Sequence, residues 1–343
     1  MKVCTFKRPS FLGAQKRLGV FFDEKILVDV NLLWQAEFER LGFYNSSKRA
    51  ALFAPPSLAE FLRIHQDAAI PKLQQTLEIY RALSKAGTLK TSNSADIAFH
   101  LLDAKDVRFD APLDEIAMYR DFYAHEKHVK KGFEKRNEPV PPAWYEIPAY
   151  YKGGNTGFIG QGDTIPWPSY TQQLDYELEL GVVIGRDGKN VKARDIKKHI
   201  FGFTILNDVS ARDIQRKEMS IRLGPAKGKD WCSVMGPVIV TFDEFGYEEP
   251  DLLMTAAING EEWSRGQSGD SHYSWGEMIE HLGMEEWIRA TDFIGSGTVG
   301  TGCGLELDRW IKPGDLVELS IEGIGTLKNI VGAPAVDGPT QNT

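Results

Sequence analysis

From residue 174 the chain reads Leu-Asp-Tyr-Glu-Leu-Glu-Leu-Gly-Val-Val-Ile. Apolar residues alternate with acids, and an apolar, β-branched run follows. This pattern predicts a strand over 176–185. Similar β-type runs, separated by Gly and Pro turns, recur at 157–166, 200–207, 234–242, 253–260, 304–308 and 315–322. Helical spacing is confined to 120–133, 193–199, 212–218 and 274–284. This part of the chain predicts a β-rich domain with helices on its margins.

Residues 1–113 have another texture and are expected to form a separate small unit, ahead of a larger one over 114–333. Residues 17–30 read as two strands around an Asp23-Glu24-Lys25 turn. Residues 57–86 read as two helices divided at Pro71, with Ser57 as cap and Glu60 three residues on. The polar stretch 87–96 reads as a loop, 105–113 as the link, and 334–343 as a flexible tail. The fold class expected is α+β and β-rich.

Glu177 and Glu179 share one face of the predicted strand, with Cα atoms roughly 6.5–7 Å apart. Asp175 shares that face. Like charges crowded there repel. An isolated Glu-x-Glu is ordinarily the wet face of an edge strand. The next apolar run changes the picture, because Ile200–Leu206 ends in Asn207-Asp208. An acid at the end of a buried strand supplies a third oxygen ligand. Three carboxylates plus water suit Mg²⁺ or Mn²⁺, and Ca²⁺ if the site is looser.

Composition narrows the function classes. The chain has 343 residues and a net charge of −8, which argues against general nucleic-acid binding. Its three cysteines, Cys4, Cys232 and Cys303, are far apart and form no disulfide or zinc pattern. No apolar run is long enough to span a membrane, and charge interrupts the start too early for a signal peptide. A cytoplasmic setting is expected.

Asp121-Phe122-Tyr123-Ala124-His125-Glu126-Lys127-His128 is dense in titratable groups. On a helix, Asp121, His125 and His128 would share a face, fit for a metal or for acid–base work. An exposed polar helix surface is the plainer alternative. Arg212, Gln215, Lys227 and Lys229 follow Asp208, and a lysine there can stabilise developing negative charge. Gly295-Ser296-Gly297-Thr298-Val299-Gly300 matches a dinucleotide fingerprint. The glycines that follow cannot start a good helix, so the loop reads instead as a backbone-rich pocket wall.

Taken together these segments resemble the fumarylacetoacetate hydrolase family. The matching text is Asp121-Phe122-Tyr123 with His128, then Asp175-Tyr176-Glu177-Leu178-Glu179, then Asn207-Asp208-Val209-Ser210-Ala211-Arg212-Asp213-Ile214-Gln215. Leu223-Gly224-Pro225, Lys229, Ser296-Gly297-Thr298, Trp310–Asp315 and Ile321–Asn329 continue it. The resemblance covers roughly 115–332, and the N-terminal part is more loosely similar to the small leading domain of longer members.

The resemblance implies a mixed β-sandwich roll, a homodimer and a divalent metal, usually Mg²⁺ or Ca²⁺. It implies metal-dependent chemistry on small dicarbonyl substrates, most often hydrolytic C–C cleavage. The ligands it implies are Asp121, Glu177, Glu179 and Asp208. His128 would be the base that activates water, and Glu306 the carboxylate that orients it. Arg212, Gln215 and Lys229 would surround the oxyanion. Tyr123, Tyr151 and Thr298 match substrate-contacting positions. Met219 stands in place of a substrate-contacting tyrosine and Lys152 in place of a histidine, which alters the pocket wall. Related members decarboxylate, hydrate or isomerise keto acids. A non-catalytic module braced by Ca²⁺ is the rival from another class.

Overall fold

The computed structural model describes residues 1–10, 13–86 and 102–335. The loop expected over 87–96 and the tail beyond 335 lie outside those residues. Leu178–Ile184 is a strand buried along its whole length. It pairs antiparallel with Ile200–Asn207, which places Glu179 opposite Leu206. On its other side it pairs antiparallel with Phe293–Gly295, Gly181 facing Gly295. Phe293–Gly295 pairs parallel with Tyr119–Phe122, Gly295 facing Asp121. Three adjacent strands therefore bring Glu179, Gly295 and Asp121 to one place.

Ile200–Asn207 also pairs with Ser233–Thr241, which pairs with Lys2–Ser10. Through that contact Gly13–Phe21 and Ile26–Asp29 extend the same twelve-stranded mixed sheet. A second, five-stranded sheet runs Glu261–Gln267, Leu253–Ile258, Leu316–Ile321, Gly325–Pro334 and Ile165–Trp167. Tyr176, Leu178, Leu180 and Val182 pack with Met254, Ala256, Leu319 and Leu327 in one apolar cluster. A second cluster joins Leu58, Phe61, Leu62 and Leu73 of the N-terminal helices to Phe201, Leu206 and Phe293. The fold is the β-rich α+β arrangement expected.

Several elements differ from their sequence patterns. Residues 120–133 are not one helix. Tyr119–Phe122 is a strand, and the helix runs Glu126–Glu134. Pairing with Phe293–Gly295 decides this, and it removes the shared helical face of Asp121, His125 and His128. Gly304–Leu307 is a short helix rather than a strand, because Asp175 accepts from the N–H groups of Gly304 and Leu305 at its start. The run 157–166 splits into Phe158–Ile159 and Ile165–Trp167.

The break in 57–86 falls at Gln66–Ala68, not at Pro71. Pro71 sits in the first turn of Ala69–Lys85, where its missing N–H costs nothing. Val30 opens the helix Val30–Arg40 rather than ending a strand, since Asp29 caps it through the Leu32 N–H. The strand Lys2–Ser10 and the helices Val30–Arg40 and Ser46–Phe53 escaped the pattern reading.

Candidate metal centre and catalytic dyad

Asp121, Glu179 and Asp208 are buried and bring one carboxylate oxygen each within 4.8 Å of the other two. Oxygens on a Mg²⁺ octahedron are about 3.0 or 4.2 Å apart, so small side-chain shifts would close the group around an ion. Burial, with Asp208 close by, holds the Asp121 carboxyl well above the usual range. Burial, then the charges of Asp121 and Asp208, does the same to Glu179. The Gly297 N–H donates to Asp121 Oδ1 at 3.2 Å and to Glu179 Oε2 at 3.1 Å. Thr298 Oγ1 donates to Glu179 Oε1 at 3.3 Å. Tyr151 donates to Asp208 Oδ2 at 2.8 Å. The residues fit a hard divalent cation: an all-oxygen donor set, crowded enough that charge alone destabilises it.

Glu177 is not one of this group of three; it lies beside it, sharing the Lys229 ammonium with Asp208. Its carboxylate accepts from Arg212 Nη2 at 2.7 Å and from the buried Lys229 ammonium. Burial would raise its pKa, but Arg212 and Lys229 outweigh burial and hold it below the usual range. Lys229 also donates to Asp208 Oδ2 at 2.5 Å and to the Asp208 carbonyl at 3.3 Å. Burial works against this ammonium, yet Asp208 and Glu177 keep its pKa raised. Arg212 grips Asp175 Oδ2 through Nε and Nη2, at 2.8 and 2.7 Å. Its Nη1 donates to Gln215 Oε1 at 3.0 Å. Of the expected oxyanion donors, these contacts leave the Gln215 amide N–H groups and one Arg212 Nη1 hydrogen for a substrate.

His128 comes from the helix Glu126–Glu134 and Glu306 from Gly304–Leu307. His128 Nδ1 lies 2.7 Å from Glu306 Oε1, and Glu306 Oε2 accepts from the Thr301 N–H at 3.0 Å. Tyr123 stands edge-on to the His128 ring at 5.4 Å. His125 is placed elsewhere, buried at the start of the helix, and burial pushes its ring down to about 4. Lys152 is exposed on Tyr150–Gly153, and Met219 is half exposed near the end of Arg212–Ser220.

Asp175, expected beside Glu177 and Glu179, takes another role, and Cys303 and Gly295 carry no mark in the pattern. Asp175 orders Arg212 and caps the Glu306 helix, so it serves the site from behind. Cys303 Sγ sits 3.7 Å from Glu306 Oε1. Gly295 makes room: a Cβ there would lie 2.2 Å from Asp121 Oδ1 and 2.8 Å from Glu179 Oε2. Gly295→Ala is therefore expected to weaken Mn²⁺ binding at least about 10-fold by calorimetry, with far-ultraviolet circular dichroism unchanged. Full Mn²⁺ affinity in that variant would refute the placement of the two carboxylates around one ion.

The fumarylacetoacetate (FAA) hydrolase C-terminal family model matches residues 117–332. The chain belongs to this family. It is 36% identical over 190 residues to a Bacillus subtilis protein named oxaloacetate tautomerase YisK, a match covering 54% of this chain and 62% of that protein. The chain thus spans less than two thirds of that relative. The fold matches fumarylacetoacetate hydrolase from Exiguobacterium antarcticum, with a TM-score of 0.69, 24% identity, and coverage of 97% of this chain and 99% of that one. It also matches a probable 2-hydroxyhepta-2,4-diene-1,7-dioate isomerase from Mycobacterium abscessus. There the TM-score is 0.66 at 20% identity, covering 98% of this chain and 100% of the other. Members of this hydrolase family are enzymes on small molecules, and among the described residues no helix is long and apolar enough to cross a membrane.

Proposed function

We propose that the chain is a divalent-metal-dependent enzyme that cleaves a carbon–carbon bond in a small dicarbonyl acid with water activated by His128. The observation that carries this reading is the buried His128–Glu306 pair at 2.7 Å, with His128 near enough to Glu177 to act on its charge. Mg²⁺ is the metal favoured, with Mn²⁺ or Ca²⁺ as substitutes, held by Asp121, Glu179 and Asp208. Glu177 joins them if substrate or metal draws it from Lys229. Such an ion, when bound, would act as Lewis acid on the dicarbonyl.

Glu306 fixes the histidine tautomer by accepting from Nδ1–H, which leaves Nε2 free as base. Nε2 takes a proton from water, and the hydroxide adds to the carbonyl carbon of the acyl arm. Gln215 and Arg212 donate to the oxyanion. The C–C bond then breaks, its electron pair leaves as an enolate, and His128 returns the proton. Tyr123 and Thr298 border the space a substrate would occupy. A homodimer in the cytoplasm completes the proposal.

A second reading is proton transfer alone, tautomerisation or isomerisation of a keto acid. The name of the 36%-identical relative favours it, and the same base would serve. A substrate panel separates them: acylpyruvates, fumarylacetoacetate and oxaloacetate, each with Mg²⁺ and then with excess chelator. The expected result is chelator-sensitive loss of the enol absorbance with two carbonyl products. Loss of that band on oxaloacetate alone, with no new product, would replace hydrolysis by tautomerisation.

A further inference from the structure

Cys303 sits at the dyad, and the proposed chemistry does not use it. Its Sγ lies 4.0 Å from His128 Nδ1 and 3.7 Å from Glu306 Oε1, while Nδ1 and Oε1 are 2.7 Å apart. One nitrogen, one sulfur and one oxygen donor thus surround a single point, and all three side chains are largely buried. Tetrahedral Zn²⁺ with such ligands needs donor separations of about 3.3–3.6 Å. The sulfur edges need to close by under about 0.5 Å, and the Nδ1–Oε1 edge needs to open by about 0.6 Å. A cavity of about 340 Å³ lined by Lys127, Lys131, Arg265, Asp270 and Thr301 reaches one of the three donors, Glu306.

We propose that His128, Cys303 and Glu306 form a second metal site, selective for Zn²⁺-like ions, whose occupancy shuts off the base. The donor set sorts the two sites: thiolate and imidazole suit Zn²⁺, whereas the carboxylate group suits Mg²⁺. Binding would take Nδ1, the nitrogen that carries a proton toward Glu306. That proton moves to Nε2, and the thiol proton leaves to solvent as the Zn–S bond forms. Nε2–H has no lone pair with which to accept a proton from water. The fourth coordination position stays open for water. The binding half stands on geometry alone, and the shut-off half rests on the proposed role of His128.

The test uses the intact protein saturated with Mg²⁺. Cd²⁺ is titrated as the thiolate reporter by ultraviolet absorbance, and Zn²⁺ by calorimetry. One equivalent per chain with a Cd²⁺–thiolate band is expected. Cys303→Ser should lose the band and weaken Zn²⁺ by about 100-fold or more, while Cys4→Ser keeps both. No band in the wild type, or a band that persists in Cys303→Ser, overturns the site. If Cys303→Ser fails to fold, Zn²⁺ affinity is measured in Glu306→Gln, where an unchanged value overturns the site equally. On a substrate the enzyme turns over, Zn²⁺ should inhibit the wild type and spare Cys303→Ser. Binding without inhibition overturns the shut-off and counts against His128 as base, while it supports the site itself.

Discussion

Replacing His128 with alanine is expected to lower turnover by about 10²–10⁴-fold while Mn²⁺ affinity stays nearly unchanged. The size follows from what general base catalysis supplies. The selectivity follows from geometry: His128 bonds to Glu306, not to Asp121, Glu179 or Asp208. Glu306→Gln should cost less, because an amide oxygen still accepts from Nδ1–H but no longer stabilises the imidazolium. Turnover measured with the best panel substrate, and calorimetry with Mn²⁺, check both arms. Full activity in His128→Ala removes the assigned base. Lost Mn²⁺ affinity in that variant would mean that the helix Glu126–Glu134 holds the metal centre together, and the dyad would be a structural contact.

Much of this site was legible because its signals are local. Glu177 and Glu179 announce themselves by alternation, and Asp208 by ending an apolar strand. Those patterns need only the residues beside them. Spacing offers Asp121 as a ligand only on a helical face with His125 and His128, whereas it stands on a strand and meets Glu179 and Asp208. Its conformation is set by pairing with Phe293–Gly295, far along the chain. No window around residue 121 contains that information. Glu306 failed the same way: Leu-Glu-Leu alternates like a strand, yet Asp175 caps a helix there from 129 residues away. Lys2–Ser10 was missed because charges interrupt its apolar alternation, and its register comes from Gly13–Phe21 and Ser233–Thr241. Cys303 is an isolated cysteine in sequence, so only the fold shows that it stands at the dyad. Gly295 carries no local mark of the space it keeps open.

Glu179→Gln is expected to separate the metal from the fold. An amide supplies no anionic oxygen, so Mn²⁺ affinity should fall by about 100-fold or more. At a metal concentration near 100 times the wild-type Kd, loading stabilises the native wild type by about 2.7 kcal/mol. The same concentration would then equal the variant's Kd and add only about 0.4 kcal/mol. Without metal the order should reverse or vanish. Glu179 is buried against Asp121 and Asp208, and burial with like charge works against its ionised form. Glutamine removes that repulsion, and its amide N–H groups can donate to Asp121. Melting curves with Mn²⁺ and with chelator therefore cross: the variant melts lower when loaded and no lower when stripped. A variant destabilised equally in both conditions would mean that Glu179 is a packing residue, and the ion would then need another set of carboxylates.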